Sequence, residues 1–380
     1  MDFDLNEDQQ LLAKTVADFC KTRSPVSRFR ELRDADGRGW DAATWQQMGE
    51  LGWLGVAFPE DVGGLEACFI EVALILEQLG KSLVPEPYLA SVVLGGYALA
   101  LAGDPAQRER WLAPMVEGET SLALAWAEAG ARFDPTRVSC TATPSAGGFV
   151  LSGAKRFVLN GHAADQLIVS AMTPDGLALF VVDADAPKLT RTSLGLIDGQ
   201  RGAHLQLEGV AVEADRRLAA APAAEVLGRV LDYGAAGAVA EGLGVASAML
   251  DLTTEYLGTR EQFGVKIGSF QALQHRAVDM FIEVALLRSM SMEAMVRADE
   301  PGPERSAAVS AAKHQLGIGG QFVSRQSVQL HGGIGVTDEH DIGLYFKRMQ
   351  ALSTICGDAT HHAQRYASAA GESVPISPAS

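Results

Sequence analysis

Three short stretches of this chain carry residue types whose spacing could do chemistry. TREQFG (259–264) places a cation, Arg260, beside the pair Phe263 and Gly264. QLHGGIG (329–335) places the amide of Gln329 beside Gly332, Gly333 and Gly335. An arginine, a side-chain amide and glycines that let backbone come close are what a phosphate-bearing ligand requires, although a Gly-Gly pair taken alone is more often a turn. ICGDATHHAQR (355–365) holds Asp358, His361 and His362. With a raised pKa Asp358 could act as a base. It also stands directly ahead of ATHHAQRYASAA, where an aspartate N-cap is ordinary. Adjacent histidines leave a helix about 100° apart, and no third ligand cluster accompanies them, so His361 and His362 do not describe a metal site.

Composition narrows the ligand and the setting. The chain has 380 residues, too many for one small core, so two or three domains are expected. A net charge of −16 with no basic tract argues against nucleic acid or a membrane surface as partner. An anionic ligand must therefore be held by a few placed cations and backbone N–H groups. Cys20, Cys68, Cys140 and Cys356 are scattered without a CxxC pair, which reads as reduced thiols in the cytoplasm. The acidic start MDFDLNEDQ does not resemble a signal peptide. No apolar run approaches a membrane span of ~20 residues; LVPEPYLASVVLGGYALALAG (83–103) comes nearest, interrupted by Pro, Glu, Tyr and paired Gly.

The elements that must position these residues fall into three blocks. Residues 1–118 read as helical. Asn6 and Gln9 form a capping box ahead of Leu11, Leu12, Val16 and Phe19 at helical spacing. FPEDVGG (58–64) reads as a turn-rich loop, and the stretch 66–83 as a mostly buried helix ended by Gly80. Residues 119–217 alternate β-branched and apolar stretches, such as QLIVSAM and LALFVVDAD, with Gly, Pro, Asp and Asn, and read as a β-domain. Residues 218–370 show four amphipathic segments, 224–258, 269–298, 303–331 and 339–369, which predict a four-helix bundle. The segment 371–380 is Pro/Ser-rich and reads as disordered.

Taken together, TREQFG, QLHGGIG and ICGDATHHAQR resemble the C-terminal domain of the acyl-CoA dehydrogenase family. MDFDLNEDQQLLAK and ELGWLGVAFPEDVGG resemble its N-terminal helical domain. The resemblance spans nearly the whole chain. It implies a mainly α fold with a central β-domain: an N-terminal helical domain, a β-barrel or sandwich middle domain and a C-terminal four-helix bundle. It implies FAD as cofactor and an acyl-CoA as substrate. It also implies that Arg260, Phe263, Gly264, Gln329, Gly332 and Gly333 reach across a subunit interface to the partner's FAD.

The same resemblance exposes departures. The family's IYEGTSQIQR carries a Glu that takes the substrate proton. Counted from Arg348, its position falls on Gly357, and the segment has one extra residue. Some members carry the base in a LDYER-like pattern on the first bundle helix; here LDYGAAG (231–237) puts Gly234 there. The family's LTEPxAGSD loop becomes LAWAEAGAR, with Ala125, Ala131 and Arg132 at the Thr, Ser and Asp positions. Its WITN strand becomes FVLN, with Phe157 for Trp and Leu159 for Thr, and leucine cannot donate a hydrogen bond.

The implied function is a subunit without its own base. Such chains resemble members of actinobacterial-type heterotetramers, in which a composite site forms a trans-2-enoyl-CoA from fatty or steroid side-chain thioesters. The partner is then a second acyl-CoA dehydrogenase-like chain, with electron-transferring flavoprotein as acceptor by analogy. Two alternatives stay open. One is a self-associating FAD enzyme using Asp358 or another acid. The other is a flavin-less scaffold subunit. The glycines Gly234, Gly237, Gly242 and Gly244 on the first bundle helix mark room for a ligand or partner, or close helix packing.

Overall fold

The computed structural model describes residues 5–369. Helices come first: α1 (Glu7–Arg23), α2 (Val26–Asp34), α3 (Ala42–Glu50), α4 (Phe69–Lys81), α5 (Tyr97–Ala102) and two short pieces, α6 (Pro105–Gln107) and α7 (Ala113–Val116). The capping box forms as expected. Gln9 N–H donates to Asn6 Oδ1 at 2.9 Å, and Asn6 N–H to Gln9 Oε1 at 3.1 Å. FPEDVGG contains one 3-10 turn, Glu60–Val62. Gly80 does not end α4, which runs on to Lys81; its place is explained by packing below.

The middle of the chain forms one eight-stranded sheet. Its strands are β1 (Leu122–Ala125), β2 (Thr141–Ser145), β3 (Gly148–Leu159), β4 (Gln166–Thr173), β5 (Gly176–Asp183), β6 (Leu189–Gly195), β7 (Arg201–Glu213) and β8 (Arg217–Leu218). The order is β6-β7-β3-β2-β4-β5-β8, with β1 paired in parallel to β4. Strand β4 is buried without interruption from Leu167 to Ala171 because both faces are covered there. Leu167 and Val169 point into a core within the sheet, and Ile168 into the core shared with the helices. A register shift between Lys155 and Val158 sets Phe157 at φ +50 and leaves its ring exposed.

The C-terminal block is a helical bundle: α8 (Ala223–Thr259), α9 (Gln271–Arg297), α10 (Pro303–Gln315), α11 (Gln321–His331), α12 (Ile342–Leu352) and α13 (Ala359–Ala369), with a hairpin of β9 (Glu261–Gln262) and β10 (Val265–Lys266) after α8. A π-helical turn, Leu316–Gly320, joins α10 to α11 without a break. The expected helix over 339–369 is instead two helices. The chain leaves α12 after Leu352 and turns through Cys356 at φ +56 and Gly357 at φ +129, conformations that cannot continue a right-handed helix. The expected tail 371–380 lies outside the described residues.

Helix α8 also corrects the membrane estimate. It spans 37 residues, and one 18-residue window reaches a mean hydropathy of 1.3, enough by composition to cross a bilayer; 78% of that window is buried inside the protein. The spaces at Gly234, Gly237, Gly242 and Gly244 are filled by close packing. A Cβ at Gly244 would sit 1.9 Å from Glu77 O on α4, and one at Gly80 would sit 2.2 Å from Glu241 O on α8. The two helices thus meet backbone to backbone, which fixes where the rest of α8 can present Gly234.

Candidate active site and nucleotide face

The stretches TREQFG and QLHGGIG meet in space. Arg260 caps the C-terminus of α8, and the chain then turns at Phe263 (φ +55) and Gly264 (φ +79), the two-residue hairpin loop between β9 and β10. Positive φ at both loop residues is the geometry that matches the twist of a two-stranded ribbon. It holds Phe263 at the tip, 91% exposed. Across from it, α11 ends at His331 and Gly332 takes φ 64, ψ −141, a backbone region open essentially to glycine alone. Arg260, Gln329, Gly332 and Gly333 line one cavity of about 710 Å³. A Cβ built on Gly264, Gly332 or Gly333 meets nothing within 4 Å, so no contact within this chain explains these glycines.

Tyr256 and Arg276 line the same cavity. Sequence reasoning missed both, since nothing marks them before α9 packs on α8. His331 is held by packing. Its ring stacks on Tyr256 at 4.5 Å and its Nδ1–H donates to Ser327 O at 2.7 Å. Burial holds its pKa below the ordinary imidazole value.

The second place of interest is the turn 353–358. Gly357 O accepts a 2.8 Å hydrogen bond from Lys313 Nζ, a side chain with no exposure at all. Burial brings the Lys313 pKa down to about 7. His362 is equally buried, with Nε2 3.1 Å from Cys356 O and Nδ1 3.3 Å from Ser310 Oγ. Burial, then the nearby Lys313, lowers its pKa to about 2, so it is neutral. Neither base position has room for a side chain. A Cβ at Gly357 would lie 2.4 Å from His362 Nε2, and one at Gly234 would lie 2.6 Å from Leu94 Cδ2 and 2.7 Å from Cys356 Sγ. Gly234 and Gly357 therefore flank Cys356 from two sides.

Asp358 is placed as an N-cap. Its Oδ1 accepts from His361 N–H at 2.8 Å, and its Oδ2 faces Arg132 Nη2 at 3.3 Å. It lines a cavity of about 420 Å³ with Arg132, Phe133, Cys356, His361 and Arg365. His361 packs against Phe133 at 5.1 Å and His362 turns inward. Among the described residues no group of three or more His, Cys, Asp or Glu could hold a metal.

The end of β3 forms a third region. Leu159 and Asn160 border a cavity of only about 40 Å³, with Trp40, Tyr88, Glu241 and Arg348, hardly more than the ~30 Å³ share of one liquid water. Trp40 Nε1–H donates to Asn160 Oδ1 at 3.1 Å. Arg348 reaches Glu241 at 2.6 Å and Asp198 at 2.7 Å, all three side chains nearly inaccessible. This network ties the sheet to α8 and α12. Leu159, on this small cavity, has no side-chain donor to offer the heteroatoms of a flavin ring. The cavity at Arg260 does fit a dinucleotide: two cations, Arg260 and Arg276, the amides of Gln262 and Gln329, and glycine faces open to the ligand.

Comparison with known proteins agrees with the fold. The models for the acyl-CoA dehydrogenase N-terminal, middle and C-terminal domains match residues 6–119, 123–210 and 224–370. The chain is 33% identical to acyl-CoA dehydrogenase FadE27 of Mycobacterium tuberculosis over 374 residues, 96% of this chain and 97% of that one. Among solved structures it is similar to the ChsE4-ChsE5 complex from Mycobacterium tuberculosis, with TM-score 0.89 and 32% identity over 99% of this chain and 100% of that chain. It is likewise similar to a variant of the Tcur3481-Tcur3483 steroid ACAD, with TM-score 0.87 and 33% identity over 96% and 98%. With all three domains matched in order and relatives covered nearly end to end, this chain belongs to the acyl-CoA dehydrogenase family.

Proposed function

We propose that this chain is a base-lacking subunit of an FAD-dependent acyl-CoA dehydrogenase, active only when paired with a related chain that supplies the base. The carrying observation is the contrast between its sites. The cavity at Arg260 is open and lined by glycines with no partner in this chain. At Gly357 and Gly234 the space for a carboxylate side chain is taken by His362, Leu94 and Cys356. When bound, FAD accepts the hydride in forming the trans-2-enoyl-CoA. This chain's part is to bind and orient. Arg260 and Arg276 supply positive charge, Gln329 an amide, and Gly332 and Gly333 a close backbone for the partner's cofactor.

Exposed apolar residues support assembly on this side. Val278, Phe281, Ile282 and Leu286 lie at helical spacing on α9, 48–61% exposed, and α9 also contributes Leu273 and Arg276 to the cavity. The similar structures include complexes named as two-component assemblies, one of them a steroid ACAD. That favours a heterotetramer and a bulky steroid side-chain thioester. One similar chain belongs to a structure titled as an electron-transferring flavoprotein of Acidaminococcus fermentans, at 27% identity, and such a protein is the acceptor in this reading. All four cysteines are free, in keeping with a cytoplasmic setting.

A second reading has one observation in its favour: Asp358 borders the 420 Å³ cavity beside the vacated base position. Turnover of several acyl-CoAs with an artificial acceptor separates the two. The isolated chain is expected to be inactive, and Asp358→Asn to leave the rate of the assembled complex unchanged. A general base contributes typically 10²–10⁴-fold, so robust activity of the isolated chain that collapses in Asp358→Asn would establish Asp358 as the base instead. The nucleotide face has its own test. Arg260→Ala is expected to weaken FAD binding in the assembled complex by about 1.5–3 kcal/mol, the range for a hydrogen bond to a charged group. Unchanged flavin content would remove Arg260 from the site.

A further inference from the structure

The segment between α11 and α12, residues 332–341, carries the open glycines yet has little structure of its own beyond one 3-10 turn. Most of it is exposed. Its internal bonds are few: Thr337 N–H to Ile334 O at 3.1 Å and Ile342 N–H to His340 Nδ1 at 3.1 Å among them. Among the described residues, the side-chain hydrogen bonds that reach it from outside α11 and α12 all come from two arginines of α2. Arg33 grips Asp338 with both terminal nitrogens, at 2.9 and 2.8 Å. Arg30 reaches Asp341 at 2.9 Å and also donates to Asp338 O. Both arginine side chains are about four-fifths covered, at 18% and 21% exposure, and Asp34 fixes the far side of Arg33 at 2.7 Å.

We infer that Arg30 and Arg33 are positioning residues for the dinucleotide site, clamping the 332–341 segment from the N-terminal helices so that Gly332 and Gly333 stand ready for the cofactor. The inference rests on the reading of the Arg260 cavity as that site. Neither arginine lines the cavity, so any effect on the ligand must pass through Asp338 and Asp341. Bidentate, networked geometry is the case in which a surface ion pair has a measurable effect. Arg33, through its hydrogen bonds, holds the Asp338 carboxyl down at about 2, so the clamp is charged at neutral pH. Ordering the segment beforehand removes an entropy cost from ligand binding.

The test is FAD titration of the assembled complex, followed by flavin fluorescence, for Arg33→Ala, Asp338→Ala, both together, and the swap Arg33→Asp with Asp338→Arg. Each single change is expected to weaken FAD roughly three- to tenfold, the scale of one good ion pair. The double alanine variant should be no worse than either single one, and the swap should recover most of the loss. Thermal midpoints should stay close to the unchanged protein. Amide exchange of residues 332–341 in the chain alone should speed up in Arg33→Ala and slow again in the swap. Undiminished FAD affinity and unchanged exchange in Arg33→Ala, while Arg260→Ala loses flavin, would overturn the clamp and leave the site standing. Undiminished affinity in Arg260→Ala would overturn the site and the clamp with it.

Discussion

Replacing Gly357 with glutamate is expected to leave the isolated chain inactive and to destabilise it by roughly 2–5 kcal/mol. Reasoning from chemistry alone gives the opposite expectation, because in the proposed reading the substitution writes back the family's carboxylate, and a base is worth 10²–10⁴-fold. The backbone decides. Position 357 sits at φ +129, where an L side chain is strained whatever the space around it, and its Cβ would lie 2.4 Å from His362 Nε2. His362 cannot give way without losing its contacts to Ser310 and Cys356. Turnover with an artificial acceptor and a urea midpoint check both halves. A stable Gly357→Glu protein with new dehydrogenase activity would show that the turn at 353–358 is plastic and the base merely deleted.

The second large effect belongs to Lys313. Burial brings its pKa to about 7 from an ordinary 10.5. Between those values the unfolded chain carries a proton here that the folded chain does not, so this site makes stability rise with pH. The contribution is complete above about 10.5 and is lost as pH falls to about 7. Lys313→Met keeps the length of the side chain and removes the titration. Relative to that variant, the unchanged protein should gain up to about 1.4 kcal/mol per pH unit between pH 7.5 and 9.5. At pH 7 the variant should be the more stable of the two, even after about 1 kcal/mol for the unpaired Gly357 carbonyl. Urea unfolding of both proteins across that range measures the difference. A difference that stays flat with pH would mean that Lys313 remains an ordinary, solvated ammonium.

Much of this architecture can be read from residue order. The α–β–α sequence of elements follows from the change of hydrophobic period, the Asn6–Gln9 cap from two residues three apart, and the strand β4 from its β-branched and apolar stretch QLIVSAM set between turn residues. Arg260 and the glycines after Gln329 were legible as a pair because their types suit one ligand. The break in the last helix was not, since Leu352 and Ile355 continue a helical spacing across it and no proline marks the turn. Lys313 was silent for a similar reason: a lysine in an amphipathic helix reads as solvent-facing, and only its contact with Gly357 places it inside. Gly80 looked like a helix stop because a glycine near a helix end usually is one; its backbone contact with α8 appears only when the two helices cross. The Arg33–Asp338 pair joins distant parts of the chain, and neither residue type carries a mark of its partner.

The hairpin that holds Phe263 in water has a consequence for supply. A ring 91% exposed at the hairpin tip, together with an apolar stripe on α9, is surface that water solvates poorly until something covers it. If the chain works as half of a pair, as proposed, copies made in excess of their counterpart keep that surface bare and are drawn toward aggregation or quality control. Under that proposal the amount of this chain that persists in a cell is set by how much counterpart is made, so that a balanced ratio of the two would be enforced after synthesis by the solubility of the orphan itself.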